Sequence, residues 1–518
     1  MEERSSQGNV VSISDVKSKN ATIPPIRPRR PNAEEMVSEF LKLLGEQGDP
    51  EALFHTPERE LFARIRVNGH MENWPLKSSG FKSWLNHAYF RLTGTIPGEK
   101  IERLLLKEFS GNALFEGSEV PVSLRVAEHD GKIYVDLCDP AWRLIEVSST
   151  GWNVISEETP VRFRRSPGML PLPVPQKGGE IEELLRFLNL GNRDDQLLLL
   201  SWILCAFRST GPYPILALHG TQGSGKSTAA NVIRRLTDPA QAALRTSPRD
   251  ERDLLIASRH SHVIAFDNLS GISGQLSDAL CRLATGSGFA TRKLYSDDEQ
   301  MIFSAQRPIL LNGIENVASR GDLLDRMLLI RLPSIKATER SQEKTFWADF
   351  EEARPRILGA LMDALVATLR GASSVAPSNL PRMADFAARG IAAESGLGFG
   401  PGEFLGAYAR NHAEATFAAI EASPAIAEIP RLLRTSGGCW EGSSGDLLAT
   451  LERGVASDCG RRDSNWPRSA RAMAGELERG KINLEQVGVV ITRLPREAGS
   501  GRRRFRLSIV TNVTPESC

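Results

Sequence analysis

Apolar and polar residues change rhythm several times along the chain, and each change marks an expected element. Residues 33–46 place Met36, Phe40, Leu43 and Leu44 at helical spacing. Between 50 and 160, the short apolar runs PVSLRVAE, KIYVDL, WRLIEV and GWNVI are separated by turn residues, the grammar of a small β-rich or α+β unit. The segment 166–179, SPGMLPLPVPQKGG, alternates proline with apolar residues and predicts a stiff, extended connection. Helical spacing follows from Glu180 to Arg208. Its apolar stretch, Leu197 to Phe207, is interrupted by Ser201 and is about half the ~20 residues that cross a bilayer, so a buried helix is expected. Three apolar strands, PILALH, HVIAF and RPILLN, then alternate with helical patterns over 211–335, which predicts an α/β core. Beyond GASSVAPSN at 371–379, helical patterns resume to about residue 425. The tail, 440–512, reads as helix (WPRSARAMAGELERG), strand, polar turn and strand (VGVVITRLPREAGSGRRRFRLSIV), the order of a winged-helix module.

These rhythms divide the chain into a polar, proline-rich arm (1–32), an α+β domain (33–165), a linker (166–179), an α/β domain (180–370), a linker with a helical segment (371–439) and a winged-helix-like domain (440–518). The 518 residues are too many for one ordinary core, which agrees with several domains. A net charge of +1 gives no global pull toward nucleic acid, so any such binding must rest on local patches. The six cysteines are scattered and form no CxxC pair, and the eight histidines show no metal-ligand spacing; free thiols in a reducing compartment are expected. The polar start Met-Glu-Glu-Arg has no apolar signal region, and a cytoplasmic protein without membrane contact is expected. In the 50–160 unit, Asp136 and Asp139 are the nearest candidates for a two-metal carboxylate pair, but they are isolated.

The strongest chemical signal lies between PILALH and STAANVIRRL. There Gly220-Thr221-Gln222-Gly223-Ser224-Gly225-Lys226-Ser227-Thr228 carries the P-loop spacing between a strand and a helix. Glycines let successive backbone N–H groups curl around phosphate oxygens, and the helix N-terminus adds a favourable dipole. Lys226 is placed to reach the outer phosphates of ATP, and Ser227 to ligate Mg²⁺. HVIAFDNLS supplies a second strand ending at Asp267, a carboxylate positioned to orient the Mg²⁺. The next residue is Asn268, an amide where a water-activating carboxylate would be useful. Glu251 and Asp253 are possible substitutes by placement, or simply surface charges. RPILLNG ends a third strand at Asn312, either a contact to the terminal phosphate or attacking water, or half of an Asn-Gly turn. Arg326, in DLLDRMLLIRL, is either an arginine that reaches a neighbouring subunit's nucleotide or a surface partner of Asp322 or Asp325. Arg320 and Arg331 are lesser candidates for the same role.

This ordered set, GTQGSGKST, RDERDLL, VIAFDNLSG, LSDALCRLATGSGFATRKLYSD, RPILLNG and DLLDRMLLI, resembles the superfamily 3 helicases, an AAA+ clade, and in particular the primase-helicase-type ATPases of phages and bacterial mobile elements. The resemblance covers residues 212–335 in its motifs. It implies a P-loop AAA+ core, a ring, usually a hexamer, with ATP and Mg²⁺ at subunit interfaces, and a DNA-gripping hairpin at TGSGFATRKLYSDDEQ. Arg292 and Lys293 would face the phosphates of single-stranded DNA there, and Phe289 or Tyr295 would stack or pack. Asn268 departs from the AAA+ pattern, in which glutamate is common, and no primase centre is visible. In the tail, Arg502, Arg503, Arg504 and Arg506 are candidates for duplex DNA contact through a wing. The expected function is an ATP-driven DNA helicase or translocase of mobile-element replication. The alternatives are an ATP-switched origin-binding or loading ATPase, and a protein-remodelling AAA+ ATPase without a DNA role.

Overall fold

The computed structural model describes residues 53–496 and 503–509 except 157–158, 270, 287–288, 293–299, 304, 314–320, 373–379 and 456–465, together with a few helical positions between 34 and 42. The expected arm 1–32 lies outside the described residues.

The first sheet runs β3-β2-β1-β4, from β1 (Leu53–His55), β2 (Leu61–Val67), β3 (His70–Pro75) and β4 (Ser118–Glu119). Period-two alternation gives β2 two characters: Ala63 and Ile65 join a core with Phe81, Leu85 and Phe109, while Arg64 and Arg66 belong to the opposite face. The covering helices are α1 (Ser79–Thr93) and α2 (Glu99–Phe115). α1 begins where the Ser78 side chain accepts from Phe81 N and ends at Gly94 in the left-handed region.

The runs expected as strands form an antiparallel meander after β5 (Val122–Ser123): β6 (Val126–His129), β7 (Lys132–Asp136), β8 (Leu144–Ser148) and β9 (Gly151–Ile155), with β10 (Arg162–Phe163) pairing back onto β5. A meander has one apolar face to cover. Here that face, including Val126, Val135, Ile145, Val147 and Trp152, enters the same hydrophobic cluster as the helices of the central unit. The expected boundary at 165/166 therefore falls inside one continuous core. The linker 166–179 is extended but packed: Gln176 N donates to Pro355 O at 2.9 Å.

The helical pattern expected over 180–208 is two helices, α3 (Ile181–Leu185) and α4 (Arg193–Ala206). Asn192 is extended and its side chain accepts from Asp195 N at 2.7 Å, so a new helix starts there. Four parallel strands follow: β11 (Ile215–His219), β12 (Ile264–Phe266), β15 (Ile309–Asn312) and β16 (Met327–Arg331), in the order β12-β15-β11-β16. Their connections contain α5 (Lys226–Thr237), α6 (Glu251–His260), α7 (Gly274–Thr285), the hairpin β13 (Phe289–Arg292) with β14 (Gln300–Phe303), and α8 (Gly321–Leu324). The long α9 (Glu343–Gly371), then α10 (Ala384–Ala393) and α11 (Glu403–Glu421), complete this unit.

The last unit holds α12 (Pro424–Ala427), α13 (Ile429–Thr435), α14 (Ser444–Val455), α15 (Ala470–Gln486) and a three-stranded sheet β17-β19-β18, with β17 at Cys439–Gly442, β18 at Val489–Leu494 and β19 at Arg504–Ile509. The short edge strand CWEG carries no alternating apolar pattern and was not anticipated. The core here includes Ile426, Ile429 and Leu433, so it begins before residue 440. Among the described residues, no helix is long and apolar enough to cross a membrane.

Candidate functional site

In an open parallel sheet, side chains converge at the carboxyl ends of the strands. Three adjacent strands do so here. β15 lies between β11 and β12, with Leu218 opposite Asn312 and Phe266 opposite Leu311. The glycine loop after β11, Asp267 after β12 and Asn312 at the end of β15 therefore meet at one edge. Asn312 Nδ2 donates to Ser227 Oγ at 3.1 Å and to Asp267 Oδ1 at 2.5 Å, and Ser227 Oγ donates to Asp267 Oδ1 at 3.2 Å. Sequence spacing puts the three at two strand ends and a helix start; the strand order brings them into one triangle.

The loop has the shape that its glycines permit. Gly223 and Gly225 sit at φ +80° and +83°, and a Cβ on Gly220 would lie 2.4 Å from Leu332 O. Lys226 opens α5, and its Nζ donates to Gly220 O at 2.8 Å and Thr221 O at 2.9 Å. Ser224 Oγ and Asn312 Oδ1 are buried and make no hydrogen bond among the described residues. Beside the loop is a cavity of about 940 Å³ bounded by Gln222, Gly223, Gly225 and Thr228 on one side, and by Phe187, Arg340, Phe346 and Trp347 on the other.

The donor set fits Mg²⁺ with a phosphate chain. Ser227 and Asp267 offer two adjacent oxygens, hard ligands of the kind Mg²⁺ takes along with phosphate oxygens and water. The glycine cradle leaves room where a side chain would block it, and Lys226 supplies a cation at its mouth.

Asn268 is exposed and left-handed at φ +54°, and its backbone N donates to Asp267 Oδ1 at 2.9 Å. Its backbone thus steadies the carboxylate, while its amide side chain cannot take up a proton at neutral pH. Glu251 and Asp253 are occupied elsewhere: Glu251 pairs with Arg282 at 2.9 Å, and Asp253 closes the α6 cap with Asp250 and accepts from Arg249 N. Asp136 and Asp139 are likewise engaged by cations, with Arg165 bridging both carboxylate oxygens of Asp136 and Arg143 on Asp139. Arg326 bonds within its own chain, to Asp322 O at 2.7 Å and Asp322 Oδ1 at 3.2 Å. Asp325 is held instead by Arg382 and His412. Arg331 is exposed on β16, and Arg320 lies outside the described residues.

The backbone of β13 and β14 forms the expected hairpin, with Arg292 opposite Gln300; Lys293 and Tyr295 lie outside the described residues. In the tail, alternation turns Phe505 and Leu507 into the core, whereas Arg504 and Arg506 both pair with Glu441 of the unanticipated strand β17. Arg503 is exposed and Arg502 lies outside the described residues.

Sequence reasoning missed Asn189, whose Nδ2 donates to Ser224 O at 3.0 Å and Pro333 O, and so ties the loop to the 333–347 segment. It also missed Arg340, with Nη2 3.4 Å from the position of a Cβ on Gly223, and the aromatic group Phe187, Phe346 and Trp347. These residues sit in no motif; only the adjacent Phe346-Trp347 pair, unusual in an otherwise polar helix start, offered a signal.

Comparison with known families gives two matches. Residues 181–408 match the actinomycete integrative conjugative element replication protein, and residues 425–516 match the AICE RepA C-terminal domain; together they span more than half of the chain. No curated protein matches. Among solved structures, the apo NrS-1 C-terminal region is similar at 12% identity and a TM-score of 0.39, over 91% of this chain and 98% of that one. The SCCmec type IV Cch active helicase is similar at 12% identity and a TM-score of 0.41, over 88% and 92%. At these scores neither structure bears on the site geometry.

Proposed function

We propose that the chain is an ATPase that drives a DNA helicase or translocase activity in replication of an actinomycete integrative conjugative element, a reading supported by the match of residues 181–408 to the replication protein of such elements and of 425–516 to the AICE RepA C-terminal domain. The observation that carries this reading is the triangle of Ser227, Asp267 and Asn312 beside Lys226. Mg²⁺ bound there would supply charge neutralisation at the phosphates. Ser227 and Asp267 would hold it, and the N–H groups of residues 220–228 would orient the phosphate chain. Lys226, released from the carbonyls of Gly220 and Thr221, would turn its ammonium to the outer phosphates. Asn312 would place the attacking water or the terminal phosphate through its amide. The cavity beside the loop would take the rest of the nucleotide, with Phe187, Phe346 and Trp347 as an apolar wall.

Arg326 would complete a neighbour's site in a hexameric ring by exchanging Asp322 for the neighbour's nucleotide. Arg292 and Lys293 would carry the coupling to single-stranded DNA, and the C-terminal unit would offer Arg503 to duplex DNA. Asn268 favours a second reading, in which ATP acts as a slow switch for origin binding or loading, because the residue after Asp267 is an amide and not a carboxylate that could activate water.

The test is steady-state ATPase of the full chain, with and without single-stranded DNA, over a salt series. The expected result is activity that DNA stimulates, that fades with salt, and that Lys226→Ala abolishes while the variant stays folded. Wild-type hydrolysis in Lys226→Ala would overturn the site. ATPase indifferent to DNA would overturn the helicase reading and leave the switch.

A further inference from the structure

The segment that follows β16, residues 332–340, runs along the glycine loop and approaches it at three points. It starts at the strand end, where Leu332 N donates to His219 O at 2.7 Å. Measured from the place a Cβ would take, Gly220 lies 2.4 Å from Leu332 O, Gly225 lies 3.2 Å from Ile335 Cδ1 and Gly223 lies 3.4 Å from Arg340 Nη2. Asn189 adds a tie from α3's side: its Nδ2 donates to Ser224 O in the loop at 3.0 Å and to Pro333 O in the segment at 2.6 Å. Strap and loop are thus fastened together, and the strap brings a guanidinium to the middle glycine.

The place of that guanidinium decides what it can touch. The cavity beside the loop opens at Gly223, Gly225 and Thr228, and none of Lys226, Ser227, Asp267 and Asn312 bounds it. A phosphate chain laid along the loop has its outer end at Ser227 and Asp267 and its nucleoside end at the cavity. Arg340 bounds the cavity and reaches Gly223, so it stands where the chain meets the nucleoside. The two carboxylates on the same wall have other partners, Glu339 with Lys336 at 3.7 Å and Glu343 with the Trp347 indole N–H at 3.4 Å.

We propose that Arg340 is a nucleotide-binding residue that clamps the innermost phosphate of the nucleotide held by its own chain's loop, and so retains the diphosphate after hydrolysis. The proposal rests on the reading of the glycine loop as an ATP site. A guanidinium pairs with phosphate oxygens through parallel N–H bonds, in geometry as well as charge. ATP and ADP carry their innermost phosphate in the same place, so the clamp holds substrate and product alike. Lys226 would grip the outer end of the chain and Arg340 the inner end, with the glycine loop between them.

The experiment titrates fluorescent ADP and a non-hydrolysable fluorescent ATP analogue onto the full chain, comparing wild type with Arg340→Ala, Arg340→Lys and Lys226→Ala, and follows ADP dissociation by stopped flow. Arg340→Ala is expected to weaken both nucleotides by the same factor, about tenfold, and to speed ADP dissociation by a similar factor. Arg340→Lys falls between it and wild type, because a point charge replaces the planar fork. Arg340 is exposed, so its variants keep the wild-type urea midpoint without nucleotide, which separates loss of the clamp from misfolding. Wild-type affinity for both nucleotides in Arg340→Ala, with binding lost in Lys226→Ala, would overturn the clamp and leave the site. Weakening of the ATP analogue alone would move Arg340 to the terminal phosphate and overturn the assignment. Binding unchanged in both Arg340→Ala and Lys226→Ala would remove the ATP site itself, and the clamp with it.

Discussion

Asn312 is where a single residue most clearly sets the site. Its amide donates to both Ser227 and Asp267, so it fixes the separation of the two oxygens that would hold Mg²⁺. Asn312→Ala removes both bonds and leaves Ser227 and Asp267 to adjust to each other. Under the proposed chemistry, hydrolysis falls about 10- to 100-fold, while nucleotide affinity changes only a few-fold, because Lys226 and the loop N–H groups are untouched. Steady-state ATPase and titration with a fluorescent ATP analogue check this; wild-type turnover would leave Asn312 a purely structural strand end. The same residue shows what the sequence can and cannot tell. Lys226, Ser227, Asp267 and Asn312 are legible because each ends a strand or opens a helix, and strand ends in a parallel sheet share one edge. Asn189, Arg340 and Trp347 reach the loop from segments whose path depends on tertiary packing, and no spacing rule connects them to Gly223.

Among the elements, α9 shows how close packing overrides local preference. The linker 166–179 is stiff from its prolines, as its composition implies, but what holds it is α9. A Cβ on Gly359 would lie 1.7 Å from Gln176 O, and one on Gly179 would lie 2.1 Å from Arg356 O. In an ordinary helix, glycine to alanine stabilises by about 0.5–1 kcal/mol. At Gly359 the sign reverses: Gly359→Ala has to push the linker off the helix and is expected to destabilise by about 1–3 kcal/mol. The urea midpoint of the full chain reads this directly, and a midpoint raised by the substitution would show that the linker is not docked there. Strands β6 to β9 and helix α5 are visible in the sequence from period and caps. The break between α3 and α4 was less visible, since both helices are apolar and only the Asn192 cap separates them. Strand β17 was invisible, because a four-residue edge strand gains its stability from pairing with β19 rather than from its own pattern.

Across the whole molecule, the N-terminal meander and the central sheet are joined by a buried polar hub. Arg125, fully buried just before β6, donates to Asp238 Oδ1 at 3.0 Å and to the carbonyls of Asp136, Leu170 and Pro239. Arg234 donates to Asp238 Oδ2 at 3.0 Å, and the backbone N–H groups of His262 and Val263 donate to the same oxygen. Burial would push the Asp238 carboxyl up, but the charges of Arg234 and Arg125 outweigh it and hold the group well below the usual carboxylate range. His262, buried against this hub with Nε2 on Ala206 O at 2.7 Å, is pushed down to about 4, first by burial and then by Arg307, against the opposing pull of Asp238. Both shifts are downward, so both contributions to stability are complete at neutral pH and are lost in acid, in two stages. Between about 6.5 and 4 the unfolded chain takes up a proton at His262 that the folded chain refuses, which costs on the order of 3 kcal/mol by pH 4. Below about 4 the unfolded chain begins to protonate Asp238 while the folded hub keeps it ionised, and the loss steepens. Urea midpoints measured from pH 7 to pH 4 should fall for the wild type and fall less for His262→Gln, which keeps a donor for Ala206 O but has no proton to take up. Parallel curves for the two proteins would place the acid sensitivity elsewhere and leave His262 a packing residue. Where the curves diverge, the hub that joins the meander to the central sheet is also what sets how the whole chain withstands acid.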